Sequence, residues 1–454
     1  MKKLLLSLPL VAGAAWAGTS YYAGVQAETA YDNLLSQIGL DPMVFEKESF
    51  EKGLSKSQAV TVVRESHSPD APVVFRLNHE INHAPIQSND DGLQFASATI
   101  RTTFTEDSDS EKFNEFRALF KDDVPVEIIT NAGVGGNIDS VVNVGAFEVK
   151  IDDDDNMMSI AKSSIDLKTT DGRTKGEGDL GAITMTDSNG ITSTVASSEL
   201  TFDVASGDYW KHGYEFLWSA SELTVDSPDL PTPVVASNLS VGTDSVVNSN
   251  NLNQTVSIKI GQVDMGDVMP LDVAPVTSGS LDVVISELSL DALQSYIDWI
   301  NQSSIAEQLE LSEELSAELV TQLLSLVTKD IGLKYDLKLG NSGGEAQADY
   351  RVKFLGDDSP TGYDNIVTVS DLLNVLDIDL TVNADKSAID MTPAAAFMQS
   401  PEAQMAFIDE GDQYTGKATL DGTTVDVNGN LFPLEDMLGG MLEMPLADLL
   451  ESIY

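Results

Sequence analysis

The chain has 454 residues, with 73 Asp and Glu against 25 Lys and Arg, a formal net charge of -48 and no cysteine. So strong a negative field repels phosphate backbones and anionic headgroups, which excludes nucleic acid as a partner and a body lying flat on an anionic membrane. The missing thiols exclude disulfides, thiolate metal sites and cysteine nucleophiles, while 42% hydrophobic residues suffice for a large core.

Met1-Lys2-Lys3 is a basic start, and no charged residue follows from Leu4 to Ala27. That stretch is long enough to span a bilayer, which needs ~20 apolar residues, with Lys2 and Lys3 inside and everything after Glu28 outside. Ala15-Trp16-Ala17 also fits a small-x-small cleavage pattern. Residues 1–28 are therefore a signal anchor or a cleaved signal peptide, and both readings export the rest.

From 29 to 290 the pattern is that of a β body. A short helix is expected after Glu28 through Ile38 and another from Ser110 to Phe120. Elsewhere apolar residues recur with period two, as in Val124, Val126 and Ile128 or Phe147, Val149 and Ile151. Further strands are expected at Thr192 to Val204, Tyr214 to Val225, Val256 to Val263 and Leu281 to Leu290. No long helix interrupts them, so the strands pair antiparallel. The Asp152 to Asp155 run reads as a solvated turn.

At Asp291 the period becomes helical. Leu293, Tyr296, Ile297 and Ile300 lie at i, i+3, i+4 and i+7, capped by Ser289 or Asp291, and Leu315 to Val327 continue in a second helix. Residues 291–330 are thus a helical pair. Across 331–454 strands return at Leu333 to Leu339, Ala346 to Phe354 and Ile378 to Val382. Thr392-Pro393 and Ser400-Pro401 each place a capping hydroxyl before a proline, which opens two short helices. A hairpin from Ala418 to Asn428 turns at Asp421-Gly422, and Pro433 opens a final helix with Leu434, Met437, Leu438 and Met441 on one face.

His79-Glu80-Ile81-Asn82-His83 matches H-E-x-x-H, whose zinc chemistry requires a helix, because only i and i+4 on a helix bring both imidazoles to one metal. Here Val73, Phe75, Leu77, His79, Ile81 and His83 alternate with Val74, Arg76, Asn78, Glu80 and Asn82, and Pro85 follows. That is strand periodicity, which sets the two histidines ~13 Å apart with Glu80 on the other face. Asp426, Asn428 and Asn430 have EF-hand-like spacing, but Gly429 precedes the position the loop needs and Glu435 comes too early. Gly133 to Gly136 lacks the third glycine of a dinucleotide loop. Trp210, Trp218 and Trp299 read as core or sheet-face residues. No catalytic, cofactor-binding or metal-ligating residue is assigned, and no cofactor is expected.

Three places resemble the YdgA-like family of exported bacterial proteins. They are the start running into Gly18, Tyr22, Gly24, Glu28 and Tyr31-Asp32-Asn33-Leu34-Leu35, the strand His79 to Pro85, and the hairpin Leu420-Asp421-Gly422-Thr423 through Val427-Asn428-Gly429-Asn430. Ala84 stands where the family's His-Gly-Pro element has glycine. The resemblance implies a Gram-negative periplasmic protein anchored in the inner membrane by an uncleaved N-terminal helix; it implies no activity.

The expected protein is α+β and mostly β: a large curved antiparallel sheet partly covered by helices, preceded by the anchor helix. Its expected role is non-enzymatic. The inner membrane is its partner at the N-terminus, and a lipid or an apolar segment of an envelope protein is its ligand. The alternatives are a metal-dependent hydrolase using His79, Glu80 and His83, and a scaffold that dimerises through the 291–330 helices.

Overall fold

The structure, a computed structural model, describes residues 44–51, 56–64, 73–82, 87–89, 92–94, 98–104, 118–120, 125–132, 137–151, 156–205, 209–266, 274–302, 325–356 and 365–445. The expected N-terminal anchor, most of the 110–120 helix, His83, the glycines 133–136, the turn 152–155 and the second helix up to 324 lie outside the described residues. The described residues are mostly strand, joined in antiparallel ladders, with few and short helices among them. No helix among the described residues is long and apolar enough to cross a membrane. Two compact units divide inside the 29–290 stretch: one takes in the described residues up to 207 with Trp218–Leu230, the other 208–217 and everything from Pro231 on.

The first unit is a sheet of nine successively paired strands: Val44–Glu51, Lys56–Arg64, Val73–Asn82, Ala98–Phe104, Val126–Ala132, Ile138–Val144, Ser163–Thr170, Arg173–Leu180 and Ser198–Ala205. Alternation carries Phe45, Val63, Phe75, Leu77, Phe104, Val126, Ile128, Val142 and Leu167 into one core. Ile128 is 1% exposed and Val63 0%. Burying such a side chain contributes about 1.5–3 kcal/mol. Phe75 packs on Phe104 with ring centroids 5.1 Å apart and Phe120 on Phe147 at 5.2 Å, the two pairs tilted by 43° and 47°.

Four adjacent strands of this unit break along one line, at Gly145-Ala146, Ala161-Lys162, Gly181-Ala182 and Ala196-Ser197, and resume as Phe147–Lys150, Met157–Ile160, Ile183–Thr186 and Thr192–Val195. Backbone bonds cross the break, such as Ala161 N–H to the Ala182 carbonyl at 2.9 Å. Gly181 is small because backbones close in there: a Cβ on it would lie 2.4 Å from the Ala161 carbonyl oxygen. The single expected strand from Thr192 to Val204 is therefore two strands with a two-residue break.

The second unit is a meander of nine strands: Val234–Asn248, Asn251–Ile260, Val276–Ser289, Gly332–Asn341, Gly344–Phe354, Leu376–Asp385, Gln413–Asp421, Thr424–Val427 and Asn430–Pro433. The helix Leu290–Gln302 is inserted between Val276–Ser289 and Gly332–Asn341, whose ladder pairs as though nothing intervened. Of the two candidate caps, Ser289 does the work: its Oγ accepts the Ala292 N–H at 3.4 Å. Helix Ala394–Phe397 follows Thr392-Pro393, and helix Pro401–Ala406 has Ser400 as N-cap, its hydroxyl accepting the Ala403 N–H at 3.1 Å. The hairpin turn sits one residue later than expected, at Gly422-Thr423, with Asp421 paired to Thr424 and Gly422 at φ 58°. Pro433 leads into Leu434–Leu438, but Met437 is exposed rather than packed.

Candidate ligand-binding face

The H-E-x-x-H match lies on a strand as far as it is described. In Val73–Asn82, His79 pairs with Ala59 on one side and Thr102 on the other. Its Nε2 is 2.9 Å from the Thr61 hydroxyl and its Nδ1 2.9 Å from that of Thr102. Both hydroxyls can donate or accept, so a neutral ring with one N–H and one lone pair is fully satisfied there. Desolvation by burial pulls the imidazole pKa down to about 4. Glu80 is exposed on the opposite face, in register between Gln58 and Arg101. His79 and Glu80 are thus not brought together. No group of three or more His, Cys, Asp or Glu among the described residues is placed to hold a metal ion.

Asp426, Asn428 and Asn430 lie at the hairpin turn between Thr424–Val427 and Asn430–Pro433. Asn428 and Gly429 both take positive φ, 53° and 87°. Asp426 Oδ1 accepts the Gly429 N–H at 2.6 Å, and Asn428 bridges the Lys417 N–H and the Ala406 carbonyl. Trp210 is buried in a core, Trp218 donates to the Ser198 hydroxyl at 3.0 Å, and Trp299 stacks on Tyr296.

The second unit's sheet has one apolar face. Antiparallel register places directly opposed residues on the same side. Val283, Tyr335, Tyr350 and Leu380 stand in one row across four strands. Two residues along in one direction come Leu281, Leu337, Ala348 and Val382; in the other come Ile285, Leu333, Val352 and Ile378. Ile258 and Leu339 extend the surface. Tyrosine phenols are the sole ionisable groups in these rows. None of their large side chains is fully buried: Leu337 is 39% exposed, Ile258 45% and Leu339 47%. At ~4.8 Å per strand and ~3.3 Å per residue, these rows extend ~19 Å across five strands, from Asn251–Ile260 to Leu376–Asp385, and ~20 Å along them, from Leu333 to Leu339.

Helices cover the two ends of this face. At one, Leu290, Leu293 and Ile297 of the helix Leu290–Gln302 pack with Leu252, Leu288, Ile285 and Trp210. At the other, the Phe407 ring lies 3.0 Å from where a Cβ on Gly416 would be, and Lys386 Nζ sits 5.0 Å over the Tyr414 ring. The rows through Tyr335 and Leu337 lie between these covers.

The reverse face carries the charge. Asp282, Asp336 and Asp349 stand side by side in one row. Lys334 reaches Asp349 at 3.1 Å, Lys338 lies 3.9 Å from Asp336, and Ser257 donates to Asp282. Arg351 bridges Asp377 and Asp379. Sequence alternation located the four strands that carry these rows but not this sorting of the two faces, which needs the register between them.

The class defined here is an antiparallel β protein of two units, one with a filled core and one presenting an unfilled apolar sheet face. Residues 1–435 match the family described as a bacterial protein of unknown function (DUF945), and the chain belongs to that family. No curated protein and no solved structure matches the chain.

Proposed function

We propose that the protein is a non-enzymatic binder of acyl lipid, held at the inner membrane by Leu4–Ala27 with its bulk in the periplasm. The observation that carries this reading is the half-exposed apolar face around Tyr335 and Leu337. Each 100 Å² of such surface removed from water is worth ~2.5 kcal/mol. A bilayer leaflet is ~15 Å of hydrocarbon, so an extended chain fits along the ~20 Å face with room for several across it. A lipid occupant is favoured over a second copy of the chain on two grounds. Two bodies that share a net charge of -48 repel each other. The apolar side of Leu290–Gln302, which a helix-mediated dimer needs, is already spent on Leu252, Leu288 and Trp210. Against the hydrolase alternative stands His79, whose two ring nitrogens are occupied by threonine hydroxyls.

Native mass spectrometry of the detergent-extracted full chain tests this. Acyl lipid retained in defined stoichiometry, and lost on Leu337→Glu, is the expected result. A lipid-free spectrum together with no uptake of a fluorescent fatty acid would sink the reading.

A further inference from the structure

The acidic face of the second unit also holds a cavity of about 320 Å³. Four strands and a turn build it, the short strand Ile408–Asp409 supplying Ile408. Thr381 and Asn383 come from Leu376–Asp385; Thr415, Lys417 and Thr419 from Gln413–Asp421; Asp426 from Thr424–Val427. Register fixes the layout: Asn383 opposes Thr415, Thr381 opposes Lys417, and Thr419 opposes Asp426. Asn428 holds the rim by its bonds to the Lys417 N–H and the Ala406 carbonyl, which tie the Asn428–Gly429 turn to the strand Gln413–Asp421 and the helix Pro401–Ala406.

The lining stands out for its unused hydrogen-bonding capacity. In the first unit, directly opposed hydroxyls satisfy each other at several places: Thr130 with Ser140 at 2.9 Å, Thr169 with Thr174 at 3.1 Å, Thr186 with Thr192 at 3.2 Å. Among the described residues, Thr381, Asn383, Thr415 and Thr419 have no side-chain hydrogen bond, and the Lys417 ammonium has no carboxylate within 4.0 Å. Asp426 spends Oδ1 on the Gly429 N–H and keeps Oδ2. Three hydroxyls, an amide, an ammonium and a carboxylate oxygen therefore face one small space, with both donors and acceptors and no net charge.

We propose that this cavity binds a neutral polyhydroxylated ligand, a sugar of one or two rings. Vicinal sugar hydroxyls are at once donors and acceptors, the complement of this set. The volume sits at the small end of the ~300–1,000 Å³ range of ligand sites. Exposed Ile408 on the wall offers an apolar patch to the C–H side of a ring. The surrounding negative field disfavours an anion.

Saturation-transfer NMR on the full chain, kept in a detergent without a sugar headgroup, tests this with glucose, galactose, N-acetylglucosamine and maltose. At least one should show saturable transfer to its ring protons. Thr381→Val with Thr419→Val should weaken it at least fivefold at an unchanged thermal midpoint, since valine suits a strand as well as threonine does. Lys417→Met gives a second, single-site check of the same loss. No saturable signal from any of the four sugars, a signal untouched by these substitutions, or saturable binding of glycine in their place would overturn the proposal.

Discussion

Tyr335 and Tyr350 oppose each other across neighbouring strands, their rings stacked with centroids 6.2 Å apart and planes 28° from parallel. They stand mid-row on the apolar face, flanked by Val283 and Leu380. An aromatic pair of this kind adds about 0.5–1.5 kcal/mol beyond its area. Removing the pair should therefore cost little stability. Tyr350→Glu places a charge among apolar rows, so it should abolish uptake of a fluorescent fatty acid while Tyr350→Phe retains it. Equal uptake by both variants would show that lipid does not bind on this face.

His79 gives the first unit a pH dependence. Its folded pKa is about 4 against 6.5 unfolded, lowered by burial. Above pH 6.5 both states are neutral and the full stability is present. As pH falls from 6.5 towards 4, the unfolded chain takes up a proton that the folded ring refuses, and stability is lost. At ~1.36 kcal/mol per pH unit this amounts to at most about 3.5 kcal/mol. His79→Gln should flatten the stability profile across that window, whereas Glu80→Gln, exposed on the other face, should leave it as it was. Denaturant midpoints at pH 7.0, 5.5 and 4.5 decide between these outcomes, and a slope that survives His79→Gln would assign the proton elsewhere.

The sequence was most legible where one face of a strand is apolar and the other polar. Val73 to Asn82 reads as a strand from its alternation, and that alone separates His79 from Glu80. Arg173–Leu180 was illegible for a physical reason. Its inward positions are Thr174, Gly176 and Gly178, with no apolar row to find. Gly176 is small because Phe202 from the next strand fills its place: a Cβ there would lie 2.2 Å from that ring. Val44–Glu51, an edge strand with five exposed positions, hid its single buried Phe45 among charges. The open face of the second unit was half legible. Leu333 to Leu339 alternates, but covered and uncovered apolar rows look alike within one strand. The polar cavity has no local signature, since its residues come from positions 381 to 429 and meet only through register.

Gly181 should be the least replaceable small residue at the line where four strands break. A Cβ would meet the Ala161 carbonyl oxygen at 2.4 Å and that of Lys162 at 2.5 Å. Both are backbone atoms held between two hydrogen-bonded strands, not side-chain ends that could rotate away. Gly181→Ala should cost upwards of about 2 kcal/mol, within the 1–3 kcal/mol typical of overpacked sites. Gly172→Ala is the control: nothing lies within 4 Å of its Cβ position, and its φ of 75° leaves only the left-handed backbone penalty, about 1 kcal/mol. Denaturant midpoints of the two variants should therefore fall in that order. Equal losses would mean that the break line shifts to make room.

The charge distribution predicts how the body responds to salt. Two cations on the second unit's acidic face are each shared between two carboxylates, Lys334 between Asp336 and Asp349, and Arg351 between Asp377 and Asp379. These are exposed pairs, each worth ~0–1 kcal/mol. The repulsion they offset extends over the whole body, with a net charge of -48. Raising ionic strength to 0.15 M shortens the screening length to ~8 Å, which suppresses that long-range repulsion more than the contacts within 4 Å. Thermal midpoints should accordingly rise with sodium chloride and level off. Arg351→Gln should lower the midpoint at low salt, because Asp377 and Asp379 lose their shared cation, and the deficit should shrink as salt is added. A midpoint that falls with salt would mean that the ion pairs, and not the net charge, dominate the balance.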